Sequence, residues 1–237
     1  MAETLQLGDV VIAVARKNVK HVHLSVHPPN GRVTLVAPTD TRLEIARAYA
    51  ASKLHWIREQ RDKLQAQPRE MPRQFIERES HYLWGRRHLM SVIERDGKPG
   101  VSLDHRRIAL SVRPGSSQAK RAEVIHEWHK TLLHQEVPAV IERWEPRLQV
   151  EVNGYFLQRM KTKWGSCNRA ARNIRLNTEL VKKPKDLLEY VVVHEMAHLV
   201  EPTHSDRFIA ILDEHCPTWR DARTELNDLP LAAETWR

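Results

Sequence analysis

The chain has 237 residues, 41% of them hydrophobic and 29% charged, with a formal net charge of +8 and two cysteines. That length can bury a real core, in one large domain or two small ones, and the composition excludes a disordered chain. No apolar run reaches the roughly 18 residues of a membrane span. The start, "MAETLQLGDVVIAVARK", lacks the basic and apolar regions of a signal peptide, so a cytoplasmic protein with Cys167 and Cys216 reduced is expected. The positive charge favours anionic partners or serves solubility; no RNA- or DNA-binding motif accompanies it, so it does not identify a nucleic-acid binder.

In chain order, "HVHLSVHP" (21–28) alternates, with Val22, Leu24 and Val26 on one face and His21, His23 and Ser25 on the other. The turn "PPNG" and the strand "RVTLVAP" (32–38) complete a hairpin. Thr41 and Glu44 form a capping box for a helix to about Gln67, with Ile45, Ala48, Ala51, Leu54, Ile57 and Leu64 at helical spacing. After the break "QPREMPR", strands are expected near 81–94 and 101–113, and Trp84-Gly85 in "LWGRR" marks a bend or bulge. Residues 116–148 read as a helix that Pro138 kinks or splits, with Trp128 and Trp144 in the core. Segments 155–167 and 173–181 read as strands or extended loops, followed by helices near 186–200, 205–214 and 218–227. No internal repeat is evident. An α+β fold is expected: a small N-terminal module of short strands and a helix over 1–115, then a mainly helical catalytic domain over 116–237.

The chemistry concentrates in "VVVHEMAHLVEPTH" (191–204). Asp186 can cap this helix, with Glu189 three residues on. Apolar residues from Leu187 to Val200 go almost all the way round, so the helix is buried. His194, Glu195 and His198 interrupt it. The two histidines lie one turn apart, about 40° around the axis, and reach one ion; Glu195 projects beside them without ligating it. This is the H-E-x-x-H signature of zinc hydrolases. Unpaired, such groups are costly to bury, and a metal removes that cost. Pro202 ends the helix and the chain turns to bring back His204, the natural third ligand, before Ser205 caps the next helix. Three protein ligands with water in the fourth position is the count of a catalytic zinc, one per chain. Glu201 is a weaker candidate ligand. The spacing is also that of the metzincins, but their glycine position is Glu201 here and no methionine follows Met196, so no Met-turn exists.

"RMKTKWGSC" (159–167), "IRLNTELV" (174–181), "YVVVHEMAHLVEPTHSDRF" (190–208), "HCPTW" (215–219) and, in the front half, "HVHLSVHPPNGRVTLVAP" and "LWGRR" together resemble the YgjP-like metallopeptidase family, which is similar to the SprT-like zinc proteases. The chain departs from the family's pattern at Thr203, often Asn, and at Trp219, often Tyr. The resemblance implies a zincin-like catalytic domain with His194, His198 and His204 on zinc and Glu195 as base. A strand near 173–177 would then pair with an extended peptide. The substrate stays open. A peptidase would act on peptides or unfolded proteins, with Glu195 handling the proton of a water on the metal. A nucleoside triphosphate pyrophosphatase would clamp phosphates with Arg159, Lys161, Lys163 and Arg172. A non-catalytic zinc-containing binding module is the third reading, weakened because structural zinc sites are closed and cysteine-rich. Cys167 is either packing or an inhibitory fourth ligand. Tyr155 and His215 are candidate oxyanion partners.

Overall fold

The computed structural model describes residues 3–27, 31–66, 73–160 and 163–228. They divide into two compact units, 3–66 and 73–228.

In the first unit, β1 (Glu3–Leu7), β2 (Val10–Lys17), β3 (His23–His27) and β4 (Arg32–Pro38) form a sheet in the order β1-β2-β4-β3, with β2 and β4 parallel. The expected β3–β4 hairpin is present, its turn lying outside the described residues. β1 and β2 are additional to the expected elements. Their inward residues Leu5, Leu7, Val10, Ile12 and Val14 alternate around the Gly8-Asp9 turn, the period-2 signal of half-buried strands. The single helix expected from Thr41 is two, α1 (Leu43–Ser52) and α2 (Leu54–Ala66). The N-cap of α1 is Arg42, with no side-chain cap bond, so the Thr41–Glu44 box does not form. The face that α1 and α2 turn inward is Ala46, Ala50 and Ile57, while Ile45 is 57% exposed.

The second unit opens with β5 (Ser80–Leu83), β6 (Arg86–Glu94), β7 (Gly100–Asp104) and β8 (Arg107–Val112), ordered β5-β6-β8-β7 with β6 and β8 parallel. This is the topology of the first sheet, and the inward positions correspond. His81 and Leu83 stand where Leu5 and Leu7 stand, and Ile108 and Leu110 where Leu35 and Ala37 stand. The repeat escapes the sequence because its core positions keep burial but not residue type. Both sheets also turn at a positive-φ glycine, Gly8 or Gly85.

The expected boundary at 115/116 falls inside the second unit. Met90, Ile108, Leu110 and Val112 share a core with Ile125 of α3 (Gln118–Leu148), so sheet and helix cannot be parted there. α3 is unbroken through Pro138 and Pro146, with Ser117 capping it by accepting from the Lys120 N–H. The expected split at Pro138 does not occur. Trp144 is buried as expected, whereas Trp128 is partly buried between two clusters.

A small sheet follows: β9 (Gly154–Gln158), β10 (Gly165–Asn168) and β11 (Asn173–Asn177), with β11 in the middle. β11 ends where Asn177 caps a 3-10 turn, Thr178–Lys182, by accepting from the Glu179 N–H. That turn leads into α4 (Lys185–Val200), α5 (Asp206–His215) and α6 (Trp219–Asp228). The N-cap of α4 is Pro184, not Asp186, and Glu189 accepts instead from Trp144 Nε1 at 2.7 Å, tying α4 to α3. The Trp84-Gly85 turn is also a docking device. Its two N–H groups donate to Val181 O and Lys182 O, fixing the approach to α4. Gly85 is required there: φ is +75, and a Cβ would lie 2.7 Å from Pro184 Cγ.

Candidate metal centre

α4 is the rigid base of the site. Val191, Val192, Val193, Met196 and Ala197 are all 3% exposed or less, so the helix cannot shift without opening the core. His194 and His198 project from it, and the turn after Glu201 returns His204. One ligand-type nitrogen from each of the three rings lies within 4.8 Å of the others. Phe208, buried in the first turn of α5, packs on all three, with ring centroids 5.0, 4.6 and 4.9 Å from His194, His198 and His204. Ser205 caps α5 as expected, accepting from the Phe208 N–H and so setting that ring in place. Phe208 escapes the sequence reading; its position three after the cap of the helix that follows His204 is the signal.

The residues fit a cation. His194 Nδ1 is buried with no hydrogen-bond partner, and its Nε2 faces His204 Nε2 at 3.1 Å. Ligand nitrogens on a tetrahedral zinc lie about 3.3 Å apart, so the spacing suits one ion between them. His198 Nδ1 lies 3.1 Å from Glu201 O, a backbone acceptor of the kind that holds a ligating ring with its other nitrogen forward. Burial, with His198 and His204 close by, pushes His194 down to about 4, and burial lowers His198 too, the direction that favours the neutral rings a ligand requires.

Glu195 is 6% exposed and makes no hydrogen bond among the described residues. Burial pushes it up to about 7, with Lys163 opposing. Its side chain lies flat on β10: a Cβ on Gly165 would sit 2.6 Å from both Cγ and Oε1 of Glu195. The glycine of "WGSC" is therefore the seat of this carboxylate.

These groups face a cavity of about 730 Å³. One wall is the 163–169 segment containing β10; another is α6, which contributes Trp219, Arg223 and Leu226 at i, i+4 and i+7. Tyr190, one turn before His194, lines it as well. The strand expected to receive a peptide, 173–177, is β11, whose backbone is paired on both sides, to β10 and to β9. It has no free edge, which corrects that expectation; β10 and β9 are the edge strands, and β10 borders the cavity.

Of the basic residues expected as a phosphate clamp, Lys163 lines the cavity. Arg159 and Arg172 do not, and Arg172 pairs with Glu151 at 3.1 Å; Lys161 lies outside the described residues. The cations that the sequence reading passes over are Arg169 and Arg223, which do line it. The Glu201 carboxylate accepts from Thr203 N–H and Oγ and is not among the clustered ligand groups, its backbone carbonyl alone serving His198. Cys167 lines the cavity with its thiol pushed up to about 11, chiefly by burial, and it too is outside the ligand cluster. Tyr155 is bonded to His134 Nδ1 at 2.7 Å, and neither it nor His215 lines the cavity. No helix among the described residues is long and apolar enough to cross a membrane.

The family model described as "YgjP-like, metallopeptidase domain" matches residues 20–229. No curated protein matches the chain. Among solved structures, the metallopeptidase zymogen abylysin of Pyrococcus abyssi is similar at 18% identity and TM-score 0.36, over 38% of this chain and 90% of that one. The metallopeptidase zymogen jannalysin of Methanocaldococcus jannaschii is similar at 20% identity and TM-score 0.35, over 38% of this chain and 92% of that one.

Proposed function

The chain belongs to the YgjP-like metallopeptidase family and is thus a metal-dependent hydrolase; on that premise we propose that it is a zinc peptidase in which His194, His198 and His204 hold the ion and Glu195 is the general base. The observation that carries this reading is the convergence of three imidazoles on one point, beside a carboxylate that is buried, unbonded and open to the same cavity. Bound there, the ion supplies Lewis acidity, polarising a scissile carbonyl and acidifying water. The chain's own residues do the rest. An extended peptide lies against the free edge of β10, whose main-chain groups hold it without regard to its sequence. Glu195, seated against Gly165, accepts the proton of the attacking water on a carboxylate oxygen and passes it to the leaving amine. Phe208 and the surrounding core keep the three rings from swinging away.

The test is a parallel screen of the zinc-loaded protein against unfolded protein substrates and against nucleoside triphosphates, with Glu195→Gln as control. Cleavage of protein that the variant lacks is the expected result. Turnover of triphosphates alone would reject the peptidase reading.

A further inference from the structure

We propose that the peptides this site selects are acidic, with Asp or Glu side chains on both sides of the scissile bond met by Lys163, Arg169 and Arg223. This rests on the peptidase reading and adds the class of substrate.

The three side chains line the cavity and are exposed. None has an ion-pair or hydrogen-bond partner for its charge among the described residues. Some arginines elsewhere are paired, among them Arg16 with Glu3, Arg58 with Asp9, Arg121 with Glu94 and Arg220 with Asp213. Arg220 lies on the same helix as Arg223, so the lack of a partner at 223 is not a property of α6. Among the described residues the one carboxylate lining the cavity is Glu195, held on Gly165, while Glu201 turns its carboxylate to Thr203. Three cations thus face a space in which the protein itself offers one buried acid.

Their placement suits a peptide in extended form. Lys163 and Arg169 flank the four-residue β10 at its two ends. A peptide paired with β10 and running past both its ends meets both cations, one on each side of the bond to be cut. Arg223 comes from a different wall, on an α6 face whose other members, Trp219 and Leu226, are buried. It lines the same cavity as Tyr190 and His194. Arginine beside apolar surface and short of a partner is suited to bidentate carboxylate recognition.

The test uses the full chain. Glu195→Gln protein is titrated with fluorescein-labelled heptapeptides that are Glu-rich, Gln-rich or Lys-rich, at low and at physiological salt. Zinc-loaded wild type receives the same peptides in quenched form. The Glu-rich peptide is expected to bind and be cut at least about tenfold better than the Gln-rich one, with the Lys-rich one last, and the ratio is expected to shrink as salt rises. Arg223→Gln should lower the ratio, and Lys163→Glu with Arg169→Glu should turn it toward the Lys-rich peptide. Equal handling of Glu-rich and Gln-rich peptides, or a preference untouched by all these variants, overturns the proposal and leaves the peptidase reading standing. Failure to cut any peptide, or turnover confined to nucleoside triphosphates, overturns both.

Discussion

Gly165 shows how much a single position decides. Its backbone has no conformation reserved for glycine, so the residue is needed for space alone: a Cβ would meet Glu195 Cγ and Oε1 at 2.6 Å. The Glu195 side chain is flexible and would give way, while the histidines on the same helix would not be touched. Gly165→Ala should therefore keep the fold and the metal and lower kcat by about 100-fold, the scale of a displacement near 1 Å at a reacting group. Metal content and kcat measured on one preparation check this; loss of metal along with activity would mean that the glycine supports the ligands instead. At this scale the sequence was most legible. His194, Glu195, His198 and His204 could be read because polar groups interrupting a buried helix are costly unless a metal satisfies them. Gly165 could not, because it matters through Glu195, distant in the chain, and spacing carries no record of such a contact.

Elements act through their ends. The start of the cavity wall, at Lys163, is held from the end of β11 by Asn177, which is 5% exposed. Its side chain donates to Met160 O and Lys163 O, each at 2.9 Å, and accepts from the N–H groups of Met160 and Glu179. One amide thus holds the loop that carries Lys163 and also starts the turn into α4. Asn177→Ala should destabilise the protein by about 1–3 kcal/mol, the cost of leaving buried backbone groups unsatisfied. It should also raise KM more than it lowers kcat, because the loosened wall binds substrate and the base stays on Gly165. Denaturant unfolding and steady-state kinetics read the two effects. Helix ends were read least well from the sequence. Thr41 and Asp186 each stand three residues before a glutamate, yet Arg42 and Pro184 begin the helices, and Glu189 bonds to Trp144 instead. A capping box is a local pattern, and a tertiary hydrogen bond outcompetes it. Pro138 misleads for a related reason: α3 is packed along its length against the sheet and α4, and that burial outweighs the hydrogen bond a proline removes.

Across the whole molecule, the sequence conveyed α+β character and a helical end that carries the site, but not where one compact unit stops. The two sheets share a topology that residue identity hides, because histidines at 81 and 88 fill inward positions held by Leu5 and Ile12 in the first sheet. Buried histidines make the second unit sensitive to acid. His129, in α3, is pushed down to about 3, chiefly by burial, with Lys182 adding to the effect and Glu179 opposing it; burial lowers His81 as well. An unfolded histidine titrates near 6.5, so below that pH the unfolded chain binds the extra proton. The stability from a neutral His129 is complete above about pH 6.5 and is lost as pH falls toward about 3, at up to ~1.4 kcal/mol per pH unit. Urea unfolding from pH 7 to pH 4.5 should show this slope, and His129→Leu should flatten it; an unchanged slope would assign acid sensitivity to other groups.

The central claim is that three histidines hold the ion and Glu195 moves the proton. Its most direct test is to measure zinc content and cleavage of an unfolded protein for wild type and Glu195→Gln, purified side by side. About one zinc per chain is expected in both, with cleavage by the wild type alone. A folded wild type that holds no metal, or a variant that cuts at the wild-type rate, would contradict it.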